Sequence, residues 1–186
     1  MAAAHQVIFS APVFGPRNQQ ALYRHENHQT TDVFSRERTS AAVSDPGPRR
    51  VKVLIPIGGE SIELTYCGPS LPAWAKPVLK SLPERWGAGP AWDSHRAVPT
   101  RLHLVVSLLN ALSTVMLDEL PTPQITALSD GGVQAEWHGV GGDLEIVIAA
   151  GEVPSYYFFN RTTNDEEDNA LEGHERRVHD LIGGLC

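Results

Sequence analysis

The chain has 186 residues, of which 41% are hydrophobic, and its formal net charge is −7. This length suits one domain of ordinary size, and the composition excludes a collagen-like rod, a coiled-coil rod and a fully disordered chain. The charge is uneven, because residues 121–186 hold 12 acidic and three basic side chains, a net −9. Nucleic acids are bound through basic patches, so this acidic third argues against a broad phosphate-binding surface.

The cysteines and the apolar segments bear on cellular location. Cys67 and Cys186 are the only cysteines, the start of the chain has no basic region of the kind that opens a signal peptide, and no run approaches 18 apolar residues. Two thiols without a secretion signal are typical of a reducing compartment, and a membrane-spanning helix needs a longer apolar run. We therefore expect a soluble, cytoplasmic protein with reduced cysteines and no membrane anchor.

The first 48 residues are predicted to form a flexible N-terminal tail, and residues 49–186 a single domain. The tail is rich in Gln, Asn, Thr and charged residues, and its apolar residues follow neither a helical nor a strand period for long. One weak signal, the run Val7-Ile8-Phe9, could add a strand to a sheet edge or to a partner.

Order is predicted to begin near Val51. Two alternating apolar runs, at 51–55 and 62–66, are joined by a Gly-Gly pair, which predicts a β-hairpin. The prolines and tryptophans of the next stretch, to Trp92, predict an irregular span with room for a turn of helix at Leu79 and Leu82.

A long helix is predicted to start at Pro99, since proline suits the first helical position. Most of its surface is apolar, and its polar residues form a narrow stripe: His103, Ser107, Asn110 and Thr114. A helix that is apolar over most of its circumference needs cover on more than one side. We expect a sheet on one side and either the N-terminal hairpin or another subunit on a second side.

After Pro123 the apolar period changes to two, which predicts four strands, over 124–128, 133–138, 144–149 and 155–160. Their short, glycine-containing connections predict an antiparallel meander. Thr163 with Glu166 has the spacing of a capping box, and the acidic residues there favour a helix N-terminus. The predicted fold is α+β: an antiparallel β-meander packed by the long helix and a C-terminal helix, with an N-terminal β-hairpin.

The most informative residues lie on the second and third strands of the meander. A hairpin closed by residues 139–142 turns Trp137 toward the helices and leaves two opposed polar pairs on the other face: Glu136 with Glu145, and His138 with Asp143. Facing carboxylates repel, so this register needs a compensating cation or full solvation. The preferred interpretation is an acidic surface that binds a basic partner, and the alternative is a divalent-metal or acid/base cluster of these four residues.

The remaining motifs predict no catalytic or metal site and no cofactor. Trp92 and Trp137 are interpreted as structural residues, each of which removes about 150–250 Å² from water when buried. Residues 93–95 (Asp-Ser-His) include the types of a hydrolase triad, but adjacent residues rarely converge on one reacting atom. His174 and His179 lack the spacing of a helical zinc pair and are interpreted as surface histidines.

Three motifs occur in a fixed order within residues 82–150. Trp-Asp-Ser (92–94) precedes the long helix, and Asp-Gly-Gly-Val-Gln-Ala-Glu-Trp (130–137) and Asp-Leu-Glu-Ile (143–146) follow it. This order resembles a widespread group of small bacterial proteins that carry Gly-Trp-Asp-Ser, Gly-Gly-Val-Gln-Leu-Glu-Trp and Leu-Glu-Ile-Glu-Ile. The resemblance implies no activity, since none is established for the group. It implies a structural role for both tryptophans, which could pack together.

The predicted function is a non-enzymatic protein-binding factor (an adaptor, chaperone-like or antitoxin-like protein) that engages another, basic protein. Its grounds are the flexible tail, the broadly apolar helix, the acidic sheet face and the lack of a complete catalytic motif. A homodimer is compatible with the apolar helix. The alternative is a small metal-dependent hydrolase that uses the four polar residues of the meander. Nucleic-acid binding is not expected, because basic pairs in a tail bind weakly: Arg36, Arg38, Arg49 and Arg50.

Overall fold

The computed structural model describes residues 4–10, 50–57, 60–67, 70–86, 98–117 and 119–185. Over these residues the fold is α+β, with three helices and two β-sheets. The smaller sheet consists of β1 (Ala4–Ser10), β2 (Arg50–Ile57) and β3 (Glu60–Cys67). The larger sheet consists of β4 (Gln124–Ala127), β5 (Val133–His138), β6 (Gly142–Ile148), β7 (Ser155–Asn160) and β8 (Glu166–Ala170). The helices are α1 (Ala75–Trp86), α2 (Leu102–Val115) and α3 (Glu175–Gly183).

The smaller sheet contains the predicted hairpin. β2 and β3 pair antiparallel, and Ile62 and Leu64 of β3 are fully buried. β1 pairs with β3 in parallel, which gives the strand order β1-β3-β2. β1 thus contains Val7-Ile8-Phe9, the weak strand signal of the predicted tail. Residues 1–3 and 11–49, which include the rest of that tail, lie outside the described residues.

The span predicted to be irregular contains a helix of three turns, so the expectation of a single turn is wrong for α1. Its buried residues recur at helical spacing: Ala75, Val78, Leu79 and Leu82. This periodicity outweighs the two prolines. Pro77 lies in the first turn, where backbone N–H groups have no acceptor within the helix, so its missing N–H costs no hydrogen bond. Only Pro83 interrupts the hydrogen bonding inside the helix. Residues 87–97, which include Trp92, lie outside the described residues.

α2 is the central helix of the fold. It starts at Leu102, three residues later than the predicted start at Pro99, and His103, Asn110 and Thr114 of its polar stripe are exposed. The helix contacts β5 and β6 of the larger sheet and also β1 and α3. Cover on more than one side is therefore confirmed. The prediction named the hairpin or another subunit as the second cover, and the structure has β1 and α3 in that role.

The larger sheet is a five-stranded antiparallel meander in the order β4-β5-β6-β7-β8, one strand more than predicted. The predicted register of β5 and β6 is confirmed, with Trp137 opposite Leu144 and Glu136 opposite Glu145. Burial alternates along both strands, so that every second residue of β6 from Gly142 is buried. One face of the sheet therefore forms the core with α2, and the other face does not.

The additional strand replaces the first part of the predicted C-terminal helix. Thr163 and Glu166 form no capping box, because Thr163 lies in a turn and Glu166 begins β8. Instead the Asn160 side chain accepts hydrogen bonds from the N–H groups of Thr162 (2.9 Å) and Thr163 (3.1 Å). Asn164 adopts a left-handed φ of 58°, which asparagine tolerates better than most residues. The chain thus reverses, and the acidic run lies on an edge strand.

α3 is fastened to this edge strand. Glu167 of β8 pairs with Arg177 of α3 through two hydrogen bonds, and the hydroxyl of buried Tyr156 donates to Glu167 at 3.2 Å. The helix buries an apolar face, on which Val178 and Ile182 are fully buried. A charged side chain on the inner side of an edge strand also discourages pairing with other chains.

The turn between β5 and β6 packs against the residues that follow α3. The Gly139 N–H donates to the Gly142 carbonyl at 2.9 Å, which closes the turn. A Cβ added at Gly139 would lie 2.0 Å from the carbonyl oxygen of Leu185, and one at Gly141 would lie 2.7 Å from that of Gly184. Only glycine permits so close an approach of two backbones.

Buried residues of both sheets and all three helices belong to one hydrophobic cluster, so the described residues share a single core. Its largest fully buried side chains include Tyr156 of β7 and Leu108, Leu109 and Leu112 of α2. Within the described ranges, none of the helices has the length and apolarity needed to cross a membrane.

Candidate functional site

The outer face is the side of the meander opposite the core. It is formed on β5 to β8 by Gln134, Glu136, His138, Asp143, Glu145, Tyr157, Phe159, Glu166 and Asp168. The strand register sets these residues in two main rows: Glu136, Glu145, Tyr157 and Asp168 in one, and His138, Asp143, Phe159 and Glu166 in the next. Cross-strand partners share a face. The outer face therefore brings five carboxylates together around two aromatic rings.

His138 bridges the two strands on which the predicted site lies. Its Nδ1 is 2.7 Å from an oxygen of Asp143, and its Nε2 is 3.2 Å from an oxygen of Glu136. The hydrogen bond with Asp143, and then that with Glu136, raises the pKa of the imidazole. The side chain remains 52% exposed. When protonated, His138 thus supplies part of the positive charge that is one of the two predicted ways to stabilise the facing carboxylates.

Asp143 is the most fully compensated carboxylate of the outer face. Arg161, in the turn after β7, donates to both of its oxygens, at 3.0 Å from Nε and 2.7 Å from the terminal nitrogen. The hydrogen bonds from Arg161, and then from His138, hold the pKa of Asp143 below its ordinary value. Such two-point guanidinium–carboxylate pairs fix orientation as well as charge. The charge of Arg161 is therefore already paired within the protein.

Glu136 is also satisfied from inside the chain. The Gln134 side-chain amide donates to it at 2.7 Å, and His138 contacts its other oxygen. Burial raises the pKa of Glu136, but the hydrogen bonds from Gln134 and His138 outweigh it, so the net shift is downward. Glu136 therefore stays ionised as a structural anion.

Glu145 differs from its neighbours. Among the described residues, no hydrogen bond and no ion pair reaches its carboxylate, which is half-buried between Glu136 and Tyr157. Burial raises its pKa, and the negative charges of Glu136 and Asp143 raise it further, against a smaller opposing effect of His138. Glu145 is thus a carboxylate at the centre of a sheet face with no direct partner among the described residues, and only the charge of His138 offsets its own.

The geometry bears on the alternative of a metal or acid/base site. In the parts of the chain that the structure describes, no three His, Cys, Asp or Glu side chains are arranged to hold a metal ion. Both imidazole nitrogens of His138 contact carboxylates, and Asp143 is held by Arg161. The four predicted residues do come together, on an open sheet face rather than around an enclosed space.

Two tryptophans were predicted to be structural. Trp137 is 4% exposed, and its indole N–H donates to the carbonyl of Pro121 at 2.8 Å. Trp92 lies outside the described residues, so its packing against Trp137 stays a prediction. His179, predicted to be a surface residue, is half-buried, with Nδ1 3.0 Å from the carbonyl oxygen of Val115 at the end of α2. The Asp-Ser-His run at 93–95 lies outside the described residues as well.

Sequence reasoning missed several residues of the outer face. Tyr157 and Phe159 alternate on a strand that was predicted correctly, so the same period-two argument was available for them. Arg161 is adjacent to that strand but lies in a turn whose shape the sequence did not give. Glu166 and Asp168 were missed because β8 was assigned to a helix.

Comparisons with family models, with curated proteins and with solved structures found no match for the chain. The resemblance of its motifs to a group of small bacterial proteins therefore stays a prediction.

Proposed function

We propose that the protein is a non-enzymatic binding factor, whose outer face binds a basic, arginine-containing segment of another protein. The observation that carries the proposal is Glu145, a half-buried carboxylate without an ion-pair or hydrogen-bond partner among the described residues and with a pKa raised by burial and by Glu136. An ionised group in this setting is stabilised by a cation from outside. A partner's guanidinium placed over Glu145 would supply it.

The balance of charge on the outer face supports the same conclusion. The two neighbouring groups that can carry a positive charge, His138 and Arg161, are both engaged with Asp143, and His138 also with Glu136. No ion pair among the described residues includes Glu145, Glu166 or Asp168, and the hydrogen bond that Glu166 accepts from the Tyr157 hydroxyl brings no positive charge. Three carboxylates therefore remain for a partner, and complementary charge favours fast and selective association with a basic surface.

The aromatic residues favour arginine over lysine in the partner. Tyr157 and Phe159 are half-buried and flanked by carboxylates, with Glu145 opposite Tyr157 and Asp143 opposite Phe159. A planar guanidinium can pair with a carboxylate while it stacks on an aromatic ring, whereas an ammonium binds as a point charge. The outer face offers both kinds of group side by side.

The proposal extends to the class and location of the protein. An adaptor, an antitoxin-like or a chaperone-like factor would each use such a surface to hold a basic partner, and a homodimer is part of the same proposal. A cytoplasmic location is proposed because the chain has only two cysteines, of which Cys67 is a free thiol in the structure. No observation on the described residues favours the metal-dependent hydrolase.

Charge reversal on the outer face tests the proposal. The probes are fluorescein-labelled peptides with four arginines or four lysines spaced by serine, and the protein variants are Glu145→Lys and Glu166→Lys. We expect the wild-type protein to bind the arginine peptide more tightly than the lysine peptide, and each variant to bind at least about tenfold more weakly. Glu152→Lys and Glu172→Lys are matched controls, because both residues are exposed in turns outside the outer face.

Two results would contradict the proposal. One is equal loss of binding in the control variants, which would show that only net charge matters. The other is stoichiometric zinc or manganese in the purified protein, found by elemental analysis and lost in Glu136→Gln. That result would restore the hydrolase.

A further inference from the structure

A second surface of the protein, separate from the outer face, lies where β1 meets β3. β1 pairs with no other strand than β3 among the described residues, and it also contacts α2. Its positions 5, 7 and 9 are in register with Ile62, Leu64 and Tyr66 of β3, all of which are buried. Without β1, the edge of β3 and the neighbouring side of α2 would form an apolar groove with a row of unpaired backbone groups.

The connection between β1 and β2 allows β1 to leave this groove alone. Ser10 and Arg50 are both in register with Cys67, so the two ends of the connection lie on either side of one β3 residue, about 10 Å apart. The connection contains residues 11–49, and an extended chain spans about 3.3–3.6 Å per residue. It is therefore many times longer than the distance it must bridge, and release of β1 need not disturb the β2–β3 hairpin.

Thr65 shows that the packing around β1 is not optimal. Its register partners are Ile8 on β1 and Lys52 on β2. Thr65 is 6% exposed, and it is the one polar residue that is buried among the described residues. Its hydroxyl has no hydrogen-bond partner among the described residues. A buried hydroxyl without a partner is unfavourable, and it would regain water when β1 leaves. Ile8 itself is 61% exposed, so this side chain gains little from the docked position.

We propose that the edge of β3 beside α2 is a strand-binding groove, which β1 fills in cis and which accepts a parallel strand of a partner protein in exchange for β1. The sequence of β1, AHQVIFS, indicates the chemistry of the incoming segment: an extended strand with bulky apolar residues at alternate positions. Strand addition of this kind takes affinity from main-chain hydrogen bonds and specificity from alternate side chains. A tethered strand competes at an effective concentration of up to about millimolar, so the partner strand must bind the groove much more tightly than β1 does.

Hydrogen exchange of the full-length protein tests whether β1 opens by itself. We expect the amides of β1 to exchange at least about 100-fold faster than those of the β2 and β3 hydrogen bonds to one another. Thr65→Val removes the unpaired hydroxyl with little change in shape, and we expect it to slow β1 exchange about tenfold, or about 1.4 kcal/mol. Exchange of β1 at the rate of global unfolding would overturn the proposal.

A disulfide provides an independent test, because Ser10 is in register with Cys67. The Cα atoms of such neighbours are within the range that a disulfide bridges, so Ser10→Cys should lock β1 into the groove on oxidation. The probe is a peptide with the sequence of residues 4–10, added at up to several millimolar because tethered β1 competes at an effective concentration of about millimolar. We expect it to bind the reduced variant and the matched Ser10→Ala protein equally, and the oxidised variant at least tenfold more weakly.

Each other outcome of the disulfide experiment also decides the question. Equal peptide binding by the oxidised and reduced forms would overturn the proposal, since the peptide would then bind elsewhere. A disulfide-linked dimer on a non-reducing gel, in a protein whose Cys186 has been replaced by serine, would show that β1 of a second copy fills the groove. That result would overturn the assignment of β1 as a cis occupant. Neither outcome depends on the acidic outer face.

Discussion

Replacement of Trp137 tests the orientation of β5, on which the assignment of the outer face depends. The side chain is 4% exposed, and its N–H satisfies the Pro121 carbonyl at 2.8 Å. Truncation of a buried tryptophan to alanine costs about 3–5 kcal/mol through lost burial and the cavity left behind. The carbonyl left without a donor adds about 1 kcal/mol. Since domains of this size are stable by about 5–15 kcal/mol, Trp137→Ala should remove much of the stability.

Urea denaturation followed by far-UV circular dichroism measures this loss, because the substitution itself removes a fluorophore. Trp137→Phe is the second variant. It keeps an aromatic ring in the core but leaves the Pro121 carbonyl unpaired, and we expect a loss of about 1–3 kcal/mol. Val140→Ala, at an 84% exposed position of the adjacent turn, should change stability by less than about 0.5 kcal/mol. A loss below 1 kcal/mol for Trp137→Ala would show that the inner and outer faces of β5 have been interchanged.

Three further predictions concern the outer face and its turn. Glu145→Gln should raise the free energy of unfolding by about 0.2–1 kcal/mol at pH 7, because like charges on facing strands repel. The gain should shrink as the pH falls through the raised pKa of Glu145, since the protonated carboxyl is not repelled, and Glu152→Gln should show no such effect in urea denaturation at pH 7 and pH 4. NMR titration of His138 should give a pKa above 6.5, and Asp143→Asn should lower that value. The contribution of His138 to stability is thus complete below pH 6.5 and lost as the pH rises through the raised pKa. A wild-type pKa at or below 6.5 would contradict the pairing of His138 with Asp143 and Glu136. Gly139→Ala should destabilise the protein by about 1–3 kcal/mol, because a Cβ there collides with the Leu185 carbonyl, and an unchanged melting temperature would show that the two backbones are not in contact.

The register of the outer face could be predicted because two local signals agreed. The alternation of apolar residues along 133–138 and 144–148 selected the buried face, and the glycine-rich turn at 139–142 fixed which residues are opposite one another. Both signals depend only on neighbouring residues. The environment of Glu145 could not be predicted in the same way. Its burial depends on β7, and the pairing of Arg161 with Asp143 depends on a turn formed by Asn160.

The wrong predictions concern segments whose sequence pattern fits two kinds of structure. The acidic run at 165–168 fits the first turn of a helix as well as a charged edge strand, and the turn before it decided for the strand. The prolines of α1 suggested an irregular span, but one lies where a helix tolerates it and the apolar spacing decided the rest. The apolar residues of β1, Val7-Ile8-Phe9, are consecutive rather than alternating, so they give only a weak strand signal. Its partner β3 lies more than 50 residues away in the sequence, and no local signal reports such a pairing.

The separation of β1 from β3 has a consequence during synthesis. Ribosomes add about 5–20 residues per second, so Ala4–Ser10 is made roughly 3–11 s before Cys67 completes the strand beside it. The meander, by contrast, joins strands that are adjacent in the chain and needs only short loops to close. Throughout that interval a nascent polypeptide presents an apolar strand to chaperones and to neighbouring chains on the same messenger RNA.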